Sequence, residues 1–333
     1  MSHGRTLVVI VAEPTGAVVR HRAMAFAPAL ARAGVTLEVH AWVKSWLARR
    51  RVLARAQEAG QALVLSRLLT VVDVERLRAR VRRLLFDFDD ALPFRDTQHG
   101  ATPSGTRGDR FRAIVAAADA VSCGNPYLAG LAAAAGRRAT VLPTVVDVPD
   151  GPPAPEPPVP PHVLGWIGSR ATLPYVEAAT VELAAVVAMG NPFRLRIIAD
   201  ATPTMPPGIP VEAIRWSLEG EAAAIDGMHV GVAPLPDDPW TRGKCGLKVL
   251  QMLARGRPVV VSAVGVQPEQ VKDGLTGYVA PTREAFVEGV RRLLKDDALR
   301  RRLGAAGRDD VRARWSVAAW SSRVVEHVTG ALT

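Results

Sequence analysis

Only two cysteines, Cys123 and Cys245, occur in 333 residues, and they stand far apart with no paired spacing. That excludes a disulfide framework and a structural zinc site, and it suits a reducing compartment. No apolar run approaches the roughly 18 residues needed to span a bilayer; the longest clean stretches are pieces such as Leu7 to Ala12 and Leu128 to Ala135. An integral membrane protein is not expected. A secretory signal is not expected either, since Arg5 precedes a very short apolar run that stops at Glu13-Pro14, which fits a buried first strand better. A cytoplasmic location is expected. The seven histidines, from His3 to His327, stand singly, and none falls into an H-x-x-x-H ligand spacing.

What is present is an ordinary globular composition, 48% apolar and 22% charged, in a chain long enough for two domains. The net charge is +10 and uneven: residues 1–160 carry 21 Lys and Arg against 14 Asp and Glu, and the remainder 21 against 18. The excess lies between Arg49 and Arg83, where Arg50, Arg51, Arg55, Arg67, Arg76, Arg78, Arg80 and Arg82 meet few acids. Such a segment either spreads charge over solvated helices or docks on an anionic partner: a phospholipid surface, an anionic glycan or nucleic acid. No nucleic acid is expected, because no helix-turn-helix, zinc finger or aromatic-rich strand accompanies the basic run.

Eight prolines in the thirteen residues from Pro149 to Pro161 cannot lie in a helix or a central strand, so the segment reads as an extended connector. On either side the pattern alternates between short apolar strands and amphipathic helices. Examples are Thr6–Ala12 then His21–Ala33, and Val163–Ile167 then Pro174–Val187. The fold class expected is α/β, two Rossmann-like domains facing each other across a cleft. The domains expected are residues 1–148, a linker at 149–161, a domain at 162–314, and a C-terminal helix at 315–333 that could pack back on the first domain.

The most informative stretch runs from Pro234 to Gly265. A strand ends, a loop with Gly243 and Gly246 follows, and a helix is predicted to open near Cys245. Amides of such a loop and first turn favour an anion, and Arg242, Lys244 and Lys248 add charge. The block reads as a diphosphate site or, less specifically, as a turn with solvated lysines.

This block resembles the signature of glycosyltransferase family 4, enzymes of GT-B architecture. The likeness continues through Gly256-Arg257-Pro258-Val259-Val260, Asp273-Gly274-Leu275-Thr276-Gly277-Tyr278 and Leu303-Gly304-Ala305-Ala306-Gly307-Arg308. It includes Gly165-Trp166-Ile167-Gly168-Ser169 after the linker, and it is thinner before residue 161. It implies a retaining, metal-independent, hexosyltransferase-like enzyme with no cofactor, taking a nucleotide diphosphate sugar as donor and a glycan, lipid-linked or small-molecule acceptor. Donor contacts fall on Gly168, Ser169, Arg170, Arg242, Gly243, Lys244, Cys245, Gly246, Lys248 and Gln251. The family's usual glutamate pair falls on Gly243 and Gln251, so this is a divergent branch. Gln251 can still bond ribose hydroxyls through its amide. A non-catalytic nucleotide-sugar-binding protein is the competing expectation.

In the first half, the stretch Leu84 to Leu92 places Asp87, Asp89 and Asp90 at the end of the strand Leu84–Phe88. They could orient or deprotonate an acceptor hydroxyl, hold a divalent metal, or simply cap a turn. Catalytic roles are expected for Lys248, Lys244, Asp89 and Asp90, with no metal site. Gly16, Arg20 and Arg22, at the first strand-to-helix turn, are acceptor-side candidates.

Overall fold

A computed structural model describes residues 4–205 and 208–333, so His3 lies outside the described residues. The chain divides into two compact units. The first comprises residues up to Val145 together with Asp238–Cys245 and Val317–Thr333; the second comprises Val146–Asp237 and Gly246–Ser316.

The first unit holds six parallel strands: β1 (Arg5–Val11), β2 (Val35–Ala41), β3 (Gln61–Leu65), β4 (Arg83–Phe88), β5 (Ala120–Cys123) and β6 (Thr140–Val141). Between them run helices α1 (Ala17–Arg22), α2 (Ala27–Arg32), α3 (Trp46–Ala59), α4 (Val71–Arg78), α5 (Gly105–Ala117) and α6 (Pro126–Ala134). Strand order is β2-β1-β3-β4-β5-β6. Both faces of this sheet are covered, which is why its strands read as continuous apolar runs. Alternate residues of β1 feed separate cores: Val8 and Ile10 pack with Val64 and Phe86, while Leu7, Val9 and Val11 pack with Leu63 and Leu85.

The second unit has strands β7 (His162–Ile167), β8 (Phe193–Ala199), β9 (Val211–Arg215), β10 (Val230–Ala233), β11 (Val259–Ser262) and β12 (Gly277–Ala280). They are also parallel, in the order β12-β11-β10-β7-β8-β9. Its helices are α7 (Leu173–Ala178), α8 (Thr180–Ala188), α9 (Glu221–Asp226), α10 (Leu247–Ala254), α11 (Gln267–Gln270), α12 (Arg283–Lys295) and α13 (Asp297–Arg314). A last helix, α14 (Val317–Leu332), returns to the first unit, where Val324, Val328 and Leu332 join the core of Leu7, Val9 and Val11. The expected α/β class with two Rossmann-like sheets is what the chain forms.

Local differences have local causes. The helix expected over His21–Ala33 is split by a 3-10 turn at Met24–Phe26, because Pro28, near the start of α2, has no amide for a continuous ladder. The helix expected from Cys245 starts two residues later, since Gly246 sits at φ +65° in the left-handed region. The proline segment is not a free connector. Arg308 donates to the carbonyls of Gly151 at 2.6 Å and Pro149 at 2.5 Å, and Arg257 to those of Ala154 at 3.0 Å and Pro155 at 3.1 Å. Arg300, 1% exposed, grips Glu156 at 2.7 and 2.9 Å.

Nor is the basic run from Arg49 to Arg83 one surface. Helices following parallel strands run back antiparallel to them, so Arg49–Arg51, opening α3, lie at the C-terminal edge of the sheet. Arg78–Arg83, leading into β4, lie at the opposite edge, and Arg78 is paired there with Asp119 at 3.0 Å.

Candidate functional site

In open parallel sheets, ligands collect at the carboxyl ends of strands where the strand order reverses direction. In the first unit that point is between β1 and β3, and in the second between β7 and β10. The sequence-predicted residues distribute over these edges.

In the first unit, β1 delivers Gly16, which opens the six-residue α1 carrying Arg20 and Arg22. Arg22 is committed: its guanidinium grips Asp87 in a fork at 2.5 and 2.6 Å and also donates to the Leu142 carbonyl at 2.9 Å. Burial works against this charge, yet Asp87 beside it raises the guanidinium pKa above its ordinary value. Ser122 Oγ donates a further bond to Asp87 at 2.7 Å. The buried Asp87 is therefore a positioning group rather than a free ligand.

Asp89 and Asp90 follow immediately. Ser66, at the end of β3, occupies the left-handed region at φ +45°. It is a strained conformation for a serine, of order 1 kcal/mol or more. It lets the hydroxyl donate to the Asp89 carboxylate while accepting the Asp89 amide at 3.0 Å. Burial, reinforced by the adjacent Asp90, pushes the Asp89 carboxyl up to about 6; Arg22 and the Ser66 hydrogen bond oppose that rise. A carboxyl tuned to this range can accept or return a proton near neutrality.

Arg242, Gly243, Lys244 and Cys245, expected among the donor contacts, pack within the first unit. Lys244 Nζ lies 2.8 Å from Asp90 and 4.5 Å from the centre of the Trp240 ring. Cys245, buried with its thiol pKa pushed well up by burial and by Asp89, donates to the Asp89 carbonyl at 3.2 Å. Asn125, which caps α6 through its Oδ1, donates Nδ2 to the Lys244 carbonyl at 3.2 Å, and Thr97 anchors Asp238 at 2.8 Å. Gly243 explains its own identity: a Cβ there would stand 2.8 Å from the Ala91 amide nitrogen and 2.7 Å from the Ala91 Cβ. Any side chain, a glutamate included, would lift this loop off Ala91.

In the second unit, Gly168 ends β7. A Cβ on it would meet the Trp166 ring at 2.0 Å, so the glycine is required for packing. The loop amides are used internally: Gly168 N bonds Ile198 O at 3.0 Å, Ser169 N bonds Thr172 Oγ1 at 3.0 Å, and Arg170 N bonds Asp200 Oδ1 at 2.5 Å. What this turn offers a ligand is the exposed side chains of Ser169 and Arg170.

Gly246 opens α10, and its left-handed backbone passes so close to Gln270 that an added Cβ would lie 1.9 Å from Oε1. Lys248 and Gln251 are three apart on this helix and share a face. Of the three cations expected at this helix start, Arg242 and Lys244 belong to the first unit, and Lys248 lies in the helix itself. Gln251 is buried, and its Nε2 donates to Glu221 Oε1 at 2.5 Å while Trp216 Nε1 donates to Glu221 Oε2 at 2.6 Å. Gln251 Oε1 is buried with no hydrogen-bond partner, an arrangement that normally costs about 1–3 kcal/mol. Ser66, Ser122, Asn125 and Glu221 escaped the sequence reading because each acts through a partner distant in sequence; only Ser66, directly at a strand end, carried a positional signal.

Among the described residues no group of three or more His, Cys, Asp or Glu is arranged to hold a metal ion. No helix among them is long and apolar enough to cross a membrane.

Residues 239–310 match the family model described as Glycosyl transferases group 1. No curated protein matches the sequence. Among solved structures, the chain is 16% identical to sucrose-phosphate synthase from Thermosynechococcus elongatus, with a TM-score of 0.71 and 98% of each chain covered. It is 11% identical to a glycosyltransferase from Rickettsia africae ESF-5, with a TM-score of 0.71 and 99% of each chain covered. Anabaena HepE, solved in complex with UDP-glucose, is 12% identical with a TM-score of 0.67, covering 97% of this chain and 99% of that one. Identities this low carry the fold alone: the chain has the two-sheet GT-B fold of these glycosyltransferases, and its residues 239–310 match the group 1 model.

Proposed function

We propose that this enzyme transfers a sugar from a nucleotide diphosphate sugar to a glycan, lipid-linked or small-molecule acceptor, with retention at the anomeric carbon and without a metal. The observation that carries the reading is the face of α10. There a half-buried Lys248 and the orphaned Gln251 carbonyl oxygen stand one turn apart behind a left-handed glycine. A diphosphate beside Lys248 and the first-turn amides gains charge and hydrogen bonds together, and a ribose hydroxyl can donate to Gln251 Oε1. HepE holding UDP-glucose on the same fold supports a uridine diphosphate sugar as donor.

On the acceptor side, Asp89 is the group suited to take a hydroxyl proton, positioned by Ser66, while Lys244 neutralises Asp90 beside it. As the glycosidic bond breaks, charge develops on the leaving diphosphate, and Lys248 with the α10 amides offsets it. A cytoplasmic enzyme meeting its acceptor at an anionic membrane face fits the basic α3 edge. Turnover of UDP-sugars should persist in EDTA, and Lys248→Ala should lower it roughly a hundredfold with an unchanged circular dichroism spectrum. Activity abolished by chelation and untouched by Lys248→Ala would reject the reading.

A further inference from the structure

The C-terminal edge of the first sheet carries an unexplained apolar tip. Of the twelve large hydrophobic side chains that stand exposed among the described residues, five fall here: Val43, Trp46, Leu47, Val71 and Val72. Trp46 is 68% exposed and Leu47 50%. The two turns that carry them are tied together by Arg49, whose Nε donates to the Val43 carbonyl at 2.7 Å and whose Nη1 meets Asp73 at 3.2 Å. Ser45 and Thr70 cap α3 and α4, accepting from the Ala48 and Asp73 amides, so the exposed side chains project from two fixed helix starts. Burying none of this surface is costly enough to need a reason, because these residues would rank among the best core formers.

The surroundings name the partner. No Asp or Glu occurs from Val39 to Gln57 or from Ala59 to Val72. Lys44, Arg50 and Arg51 are exposed around the tip, and the Arg50 guanidinium stacks 5.7 Å from the Trp46 ring. Asp73 is buried and already shared by Arg49 and Arg76, and Glu75, two residues further along α4, is the exposed acid of that helix. An indole flanked by aliphatic side chains inside a ring of unopposed cations matches an anionic bilayer, where the apolar tip enters the headgroup boundary and the cations meet phosphates.

Asp89 and Asp90 follow β4 at this same sheet edge. We infer that Val43, Trp46, Leu47, Val71 and Val72 insert into an anionic lipid surface, with Lys44, Arg50 and Arg51 on its phosphates, to bring a membrane-borne acceptor to the aspartates. The acceptor clause rests on the function proposed above; the insertion does not.

The test uses the full chain with vesicles of phosphatidylcholine alone or with about a third phosphatidylglycerol. The chain should pellet with the anionic vesicles only, and salt that shortens the Debye length below about 8 Å should weaken this. Arg50→Glu with Arg51→Glu, and separately Trp46→Ser with Leu47→Ser, should each lower the partition constant about tenfold or more. Quenching of tryptophan emission by brominated lipid should disappear in Trp46→Phe.

Equal pelleting on both vesicles, or binding that falls with the arginines but is unmoved by the Trp46 and Leu47 changes, would overturn the insertion. So would a dimer in sedimentation velocity that those changes dissociate, since a second copy would then be the occupant. Pelleting requires no donor, whereas the donor reading fails separately, as no thermal shift with UDP or a UDP-sugar.

Discussion

Asp89 offers the sharpest physical test, because its environment acts on stability and on chemistry in opposite ways. Its carboxyl is lifted to about 6 by burial and by Asp90, against an ordinary value near 3.8. A carboxyl raised on folding favours the folded state when protonated. That contribution is complete below the unfolded pKa and is lost as pH rises through the folded one. The whole interval corresponds to about 3 kcal/mol, of which about 2 kcal/mol falls between roughly pH 4.5 and 7.5. Asp89→Asn stays neutral throughout and still accepts the Ser66 hydroxyl. In urea unfolding the variant should therefore gain on the wild type by about 2 kcal/mol between those two pH values.

Transfer should move the other way. If the ionised carboxylate takes the acceptor proton, wild-type kcat/KM rises through about pH 6. Asp89→Asn should then lose roughly a hundredfold or more at neutral pH without that inflection. A parallel stability difference at all pH values, or an activity inflection that survives in Asp89→Asn, would refute the assignment of the raised pKa to this side chain.

Gln251→Ala should weaken UDP and UDP-sugar by the same factor, about tenfold by isothermal titration, because a ribose contact exists in ground and transition states alike. Gly243→Glu, which places a glutamate where the resemblance expects one, should cost about 1–3 kcal/mol in thermal unfolding, since the Cβ alone collides with Ala91. Arg300→Met should cost about 3 kcal/mol by leaving the half-buried Glu156 only the distant Arg301, at 3.8 Å, as an ion-pair partner. The same change should make the proline segment sensitive to limited proteolysis.

The α/β alternation was legible because strands covered on both faces must be apolar throughout, as Leu7–Val11 and Val259–Val261 are. The linker was legible because proline can do little else. The pinning of that linker was not, since nothing in the sequence pairs Arg257 and Arg308 with the linker carbonyls or Arg300 with Glu156. Within the site, Gly246 and Lys248 were visible as a glycine loop before a helix. That Lys244 precedes the helix while Lys248 lies in it was hidden, because a single left-handed residue at Gly246 shifts the helix start by two positions. Asp89 was found as one of three acids. Its raised pKa comes from burial and Asp90, and its placement from Ser66, twenty-three residues earlier, whose left-handed backbone no sequence pattern announces.

The return of α14 to the first unit has a consequence for biosynthesis. The strand β1 shares its core with Val324, Val328 and Leu332, which are made more than 300 residues later. At ordinary translation rates of about 5–20 residues per second, the sheet completed at Val145 waits roughly 10–40 s for that cover. During this interval the apolar face of Leu7, Val9 and Val11 is without its final helix. A chain truncated after Ser316, without the Val317–Thr333 segment, should therefore accumulate as aggregate or chaperone-bound protein even though every residue of the group 1 segment is intact.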